Sequence, residues 1–472
     1  MLYISCPKTL REVLRHERDK PRITFRMAPP PFHSFLQKGI YQSVGLAGLC
    51  LTTLRRCFQS GSGSFWGHSA DPVMSCSSSV KKARSESLWG LFTGDSLSMP
   101  VHWYYDPDDI KQDYGQWLKG FVAPKSKHPS SILTISAVGG AGRNTFGNRP
   151  DTVIGSVILH DKLKFWQSRS RSVHYHQGMK AGDSTLNACV AGQTALTLSS
   201  LYNEEPTMDD SALSMVLAAY VKFMTTPGSH SDTYAESYHR EFFRDWLEAG
   251  SPVEAEEVLK FADERDKRLQ SGHIDHNIDS IGALIMPIPV VMHCANMNSS
   301  DAVKYAVRLV SLTHCSRSLI PFVELYSNVL HNVLNGASLK DEAQRALESS
   351  VLGGSSTWKR AQKYSKTAAK YPMGSEGRLR VYQEAVSHFG LACYIKGAVT
   401  SLFFVAHEFH DNFEAGVLTN TNCGGENCHR GGALGALLGA EAGRTGKDVP
   451  KEFKSGLQSS QDVIQDILDV WK

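Results

Sequence analysis

The chain has 472 residues, and its 50 Lys and Arg against 47 Asp and Glu leave a formal net charge of +3. That near-balance, with no basic stripe interleaved with aromatics, argues against a nucleic-acid partner, and the absence of any run of about 18 apolar residues argues against a membrane span. Ten cysteines are scattered without a CxxC pair, which argues against a zinc ribbon or a redox dithiol and fits reduced thiols inside a cell.

Residues 1–85 read as an N-terminal extension. Between Lys20 and Ala70 there is no acidic residue, and "APPPF" and "GSGSFWGHS" resist regular structure. Three readings stay open: an organelle transit peptide, which is Arg- and Ser-rich and acid-poor, a disordered extension, or a misassigned start codon. With the scattered cysteines, the expectation is an intracellular location, cytoplasmic or, if the extension is a transit peptide, organellar. Residues 86–472 read as one large folded domain.

Helical patterns then dominate. "STLNACVAGQTALTLSSLY" (from Ser184) and "DSALSMVLAAYVKFM" (from Asp210) carry apolar residues at helical spacing. "SPVEAEEVLKFADERDKRL" predicts a helix capped by Ser251, with Pro252 at its first position and Glu254 completing a capping box. The run Ile281–Cys294, broken by Pro287 and Pro289, reads as buried core. "EGRLRVYQEAVSHFGLACYIKGAVTSLFFVAHEF" reads as continuous helix. Strand-like alternation is nearly absent, so the predicted fold class is all-α.

Several segments hold residues able to do chemistry. "LWGLFTGDSLSMPVHWYYDP" places Gly94 and Asp95 at the end of an apolar turn, and "SAVGGAGR" offers Gly140 for close backbone approach and Arg143 for a phosphate. In "HYHQGMKAGDSTLNA", Asp183 and Ser184 stand at a helix start, where a simple N-cap explains them equally well. His273 and His276, with Asp275 and Asp279, are spaced to share a helical face. "VAHEFHDN" is not a zinc-protease motif, because His407 and His410 are three apart rather than four. Last comes "NTNCGGENCHRGGALGALLGAEAG" (from Asn420), in which polar groups crowd the mouth of a helix built from Gly and Ala. Small residues let that helix run close beside its neighbours, and its N-terminus suits an anion.

Taken in order, these segments resemble the ADP-ribosylglycohydrolase family over roughly residues 87–447. "GLFTGDSLSMPVHW" is similar to the family's GDALGxPxE opening, "AGDSTLNACVA" to its TDDT helix start, "HNIDSIGALIMPIP" to its central D-S-hydrophobic-P segment, and "SLTHCSRS" to its (S/T)-H-x-(D/S) entrance. The stretch from Asn420 is similar to its N-x-G-G-D-x-D-(T/S) motif and Gly/Ala-rich helix. The resemblance implies an all-α domain with a central ligand cleft and hydrolysis of a glycosidic bond to ADP-ribose or a related nucleotide-sugar, on a small-molecule or ADP-ribosylated substrate. It also implies two magnesium ions held by carboxylates and hydroxyls. The candidate catalytic residues are then Asp95, His102, Asp183 and Glu426. The candidate ligand contacts are Trp103, Gly140, Arg143, Asn422, Gly424, Gly425 and Arg430, and the candidate metal ligands are Asp183, Ser184, Glu426 and His429.

The sequence differs from the family pattern where the metals would sit. Of four matched carboxylates, Asp183 and Glu426 remain, while Ser184 and Cys428 replace the other two; His429 stands for a Thr, and His102 for the acid of the first loop. Two dications with so little negative charge would repel. The expectation is one weakly held magnesium at most, a softer metal on His429 and Cys428, or none. The alternative to a hydrolase is a non-catalytic, crystallin-like or small-molecule-binding relative.

Overall fold

The computed structural model describes residues 78–139, 153–201, 208–269 and 278–471. The reading of residues 1–77 as an extension, and the candidates Gly140, Arg143, His273, Asp275 and His276, lie outside the described residues. The fold is all-α. Among the described residues β-structure is limited to isolated bridges such as Ser280 with Tyr394.

Helices of ten or more residues are numbered in sequence order: α1 (Ser78–Ser98), α2 (Leu186–Ser200), α3 (Asp210–Thr225), α4 (Ser237–Glu248), α5 (Ala255–Leu269), α6 (Ser299–His314), α7 (Ile320–Leu334), α8 (Leu339–Glu348), α9 (Ser355–Ala368), α10 (Glu376–Gly390), α11 (Ile395–Glu408), α12 (Phe413–Asn422), α13 (Asn427–Arg444) and α14 (Gln461–Trp471). The Gly/Ala-rich helix is α13. It is buried from Asn427 to Gly443 and packs on α1, α7, α11 and α12.

The α1–α13 contact explains the glycines. Gly90 faces the Gly435 carbonyl, Gly94 faces the Gly431 carbonyl, and Gly439 faces the Glu86 carbonyl, each so close that a Cβ would collide. The two backbones therefore meet without intervening side chains. Ser87 Oγ–H adds a hydrogen bond of 2.8 Å to the Ala436 carbonyl.

Helix α1 begins at Ser78, so residues 78–85 belong to the folded body and not to the extension that composition suggested. Ala83 and Arg84 are buried. The Arg84 guanidinium donates to the Trp471 carbonyl at 2.5 Å and lies over that indole at 4.9 Å. Arg84 thus ties the start of α1 to the last described helix.

Two helix boundaries also differ from expectation. Ser251 is no N-cap: it adopts a left-handed φ of 61°, and its N–H donates to the Trp246 carbonyl at 3.0 Å, closing α4. Trp246 Nε1–H then donates to the Pro252 carbonyl, and the following helix starts at Ala255. The predicted continuous helix from Glu376 splits into α10 and α11. The break follows from two backbone bonds to a neighbouring segment, Ile281 N–H to the Cys393 carbonyl and Ile395 N–H to the Asp279 carbonyl.

Candidate functional site

The polar cluster at the mouth of α13 is positioned by two consecutive left-handed glycines, Gly424 (φ 65°) and Gly425 (φ 63°). A Cβ on either would strike a carbonyl, that of Tyr104 or of Leu391. Both are therefore fixed by backbone packing. The turn delivers Glu426 to the N-cap of α13, fully buried.

Both oxygens of Glu426 are engaged. His102 Nε2 lies 2.9 Å from its Oε1, and Trp103 Nε1–H donates to its Oε2 at 2.6 Å. His429, one helical turn on, sets its Nδ1 2.9 Å from Oε1, without the alignment a hydrogen bond requires. Trp103 holds a left-handed φ of 64°, unusual for a bulky residue, and its N–H donates to the Gly425 carbonyl. Such backbone strain costs about 1–3 kcal/mol and persists only where the surroundings demand it; here it seats the indole on the carboxylate.

The cluster extends in both directions. His102 Nδ1 lies 2.8 Å from His176 Nε2, and His176 Nδ1 lies 2.7 Å from Asp232 Oδ1. On the other side, Glu236 Oε1 lies 3.8 Å from His429 Nδ1 and accepts from Ser280 Oγ–H, while its Oε2 accepts from Asn187 Nδ2–H. The result is a buried series: Asp232, His176, His102, Glu426, His429, Glu236. Trp103 stacks on His102 at 3.8 Å and meets Tyr175 and Tyr234 edge-on, walling the centre with aromatic rings.

Burial and charge set the protonation of this series. Burial pushes the His102 imidazole down to about 4 despite Glu426. Burial opposes ionisation of Glu426, but His102 and His429 outweigh it and hold that carboxyl well below its usual range. Burial likewise opposes a charge on His429, yet Glu236 and Glu426 raise it to about 10. Burial also opposes ionisation of Asp232, but His176 overcomes it and holds that carboxyl below its ordinary value.

The other sequence candidates have different duties. Asp95 accepts from the Thr185 N–H and Oγ–H at 2.8 and 2.6 Å, so it caps α2 from outside; burial raises its carboxyl. Cys428 Sγ lies 3.3 Å from Asp95 Oδ1, which links this cap to the centre, and burial pushes its thiol well up. Asp183 accepts from the Lys180 N–H, closing its own turn. Ser184 sits in a hydroxyl series between Ser96 and Ser460. Asn422 clamps the backbone of Leu118 on both sides. Arg430 holds Asn420 and the Gly424 carbonyl. Asp279 accepts from Ser316 and Ser318. The structure thus brings together His102, Trp103, Glu426 and His429, with Asp95 beside them through Cys428.

Sequence reasoning missed His176, Asp232 and Glu236. His176 lies in "HYHQGMK", where alternating histidines were a visible signal; "SDTYAES", which supplies both acids, carries none.

The magnesium ions that the resemblance implies call for oxygen donors. The donors at this centre are two imidazole nitrogens and one carboxylate, while Asp95 and Asp183 are committed to backbone N–H groups and a hydroxyl. This set does not fit a two-magnesium site.

Comparison with known proteins gives a match to the ADP-ribosylglycohydrolase family over residues 79–472. No curated protein matches. Among solved structures, one described as an "ADP-ribosylglycohydrolase-related protein complex" is similar at 14% identity and a TM-score of 0.44, over 83% of this chain and 98% of that one.

Proposed function

Because the chain belongs to the ADP-ribosylglycohydrolase family, we propose that it hydrolyses a glycosidic bond to ADP-ribose or a related nucleotide-sugar, at the Glu426 centre and without magnesium. The observation that carries this reading is the buried association of one ionised carboxylate with two imidazoles, His102 and His429. Glycoside hydrolysis needs a group that activates water and a group that supplies a proton to the leaving atom. Glu426 is the carboxylate on which that chemistry depends. His176 and Asp232 position His102, and Trp103 holds the second oxygen of Glu426 in place.

A second reading, a non-catalytic relative that binds a small molecule or serves structurally, draws on one observation. His102, Glu426 and His429 are between 0% and 2% exposed, so substrate reaches them only if the cover moves. That cover includes Leu391, whose carbonyl accepts from the Glu426 N–H at 2.8 Å.

Release of free ADP-ribose from a panel of ADP-ribosylated peptides and nucleotides, measured beside ADP-ribose binding by calorimetry, separates the two. Release supports the hydrolase. Binding without release supports the non-catalytic relative, and neither binding nor release overturns the substrate class.

A further inference from the structure

We propose that His102 Nε2, His429 Nδ1 and the Glu426 carboxylate bind one borderline-soft divalent ion of the zinc type. Asp232 accepts backbone N–H groups on both oxygens, from Leu186 and Tyr234, and Glu426 accepts on both of its oxygens, from Trp103 Nε1–H and the His429 N–H. Both are therefore acceptors. Between them stand three links: Asp232 to His176, His176 to His102, and His102 to Glu426, at 2.7, 2.8 and 2.9 Å. Each link needs one hydrogen, but two neutral imidazoles carry only two. With Asp232 orienting His176, the Nδ1–H of His102 points at His176, and a lone pair on Nε2 faces the Glu426 oxygen. Something positive must stand there.

A third proton would serve that link alone. It would leave His429 Nδ1, 2% exposed at the residue level and aimed at the same oxygen, without a hydrogen-bond partner. A dication bonded to all three groups satisfies both, and in binding it displaces the proton that Glu236 and Glu426 otherwise favour on His429. The three donor atoms lie within 4.8 Å of one another. Two imidazoles and a carboxylate suit zinc, with one position left open, and disfavour magnesium. The outer contacts match those that orient metal-bound histidines: the other nitrogen of His102 is tied through His176 to a carboxylate. Glu236, 3.8 Å from His429 Nδ1, supplies the second negative charge.

The test uses the whole 472-residue chain and no substrate, so its failure leaves the hydrolase reading standing. Protein stripped with chelator is titrated with zinc and, separately, with magnesium by calorimetry, and metal content is measured after dialysis. The expected result is one zinc per protein molecule and no magnesium heat. His176→Gln, which removes an orienting contact rather than a ligand, should weaken zinc binding by about 10–100-fold, and His429→Ala should abolish it. Cobalt loaded into the unaltered protein should show the strong visible bands of a four- or five-coordinate site, and its X-ray absorption should show imidazole scattering and no sulfur. This arm decides the matter if a variant does not fold. Failure to retain zinc, a six-coordinate cobalt spectrum, a sulfur ligand, or full zinc binding by a folded His429→Ala protein would each overturn the proposal.

Discussion

At the scale of single residues, burial decides the protonation of those histidines that no carboxylate faces, such as His314. His314 is buried, stacks on Tyr238 at 3.7 Å, and meets Thr313 Oγ1 at 2.9 Å. Burial pushes its pKa down to about 3, with Arg265 adding to the effect. The unfolded imidazole titrates near 6.5, so between pH 6.5 and 3 the unfolded state binds the extra proton. The stability this group contributes is complete above pH 6.5 and is lost as pH falls towards 3, with a slope approaching ~1.4 kcal/mol per pH unit. His128, also lowered to about 3 by burial, adds a term of the same sign. Denaturant midpoints measured from pH 7 to pH 4 should fall steeply. His314→Phe keeps a ring against Tyr238 and should flatten the slope; an unchanged slope would show that His314 is not held neutral.

Which residues form the centre was only partly legible. Glu426, His102 and His429 stood out because they replace family residues at matched positions. Asp95 and Asp183 matched the family pattern too, yet they spend their oxygens on backbone N–H groups, Thr185 and Lys180 respectively. A motif places a residue in a fold but does not say which donor its side chain will meet. His176, Asp232 and Glu236 reach the centre through tertiary contacts between segments about 50 or more residues apart in the sequence, and no local spacing encodes such contacts.

At the scale of helices, the contact between α1 and α13 is the joint on which the site depends. It sets the Asp95 end of α1 beside Cys428 and the Glu426 turn. In a solvent-exposed helix, Gly→Ala is stabilising by about 1 kcal/mol. Here the sign should reverse, because the new methyl group meets a backbone carbonyl that cannot swing away. Gly94→Ala and Gly435→Ala should each destabilise by about 1–3 kcal/mol or more, by overpacking. Chemical denaturation of the two variants checks this, and a neutral or stabilising result would mean the helices separate easily. The glycine pattern made this helix legible as central and buried. The break between α10 and α11 was not legible, because it is imposed by hydrogen bonds from Ile281 and Ile395 to distant backbone. The left-handed Ser251 was hidden for a similar reason: the indole of Trp246 captures the backbone after it.

At the scale of the whole molecule, the two ends of the described sequence are tied together. Arg84 reaches the Trp471 carbonyl, and Glu86 accepts from the Val449 N–H and pairs with Lys454 at 2.7 Å. A hydrogen bond from a charged donor is worth roughly 1.5–3 kcal/mol, and Arg84→Ala takes that donor away from the Trp471 carbonyl. Arg84→Ala should lower the unfolding free energy by that order in chemical denaturation, and limited proteolysis should show α14 released earlier than in the unaltered protein. Equal protection in both would contradict the clamp.

The proposed function places glycosidic-bond hydrolysis on the Glu426–imidazole centre and not on magnesium-bound carboxylates. The most direct measurement is turnover of an ADP-ribosylated substrate by the unaltered protein and by Glu426→Gln, each with and without added magnesium. The account predicts ADP-ribose release by the unaltered protein that magnesium changes little, and a loss of roughly 100-fold or more in Glu426→Gln. Turnover that requires magnesium, or that survives the substitution intact, would contradict it.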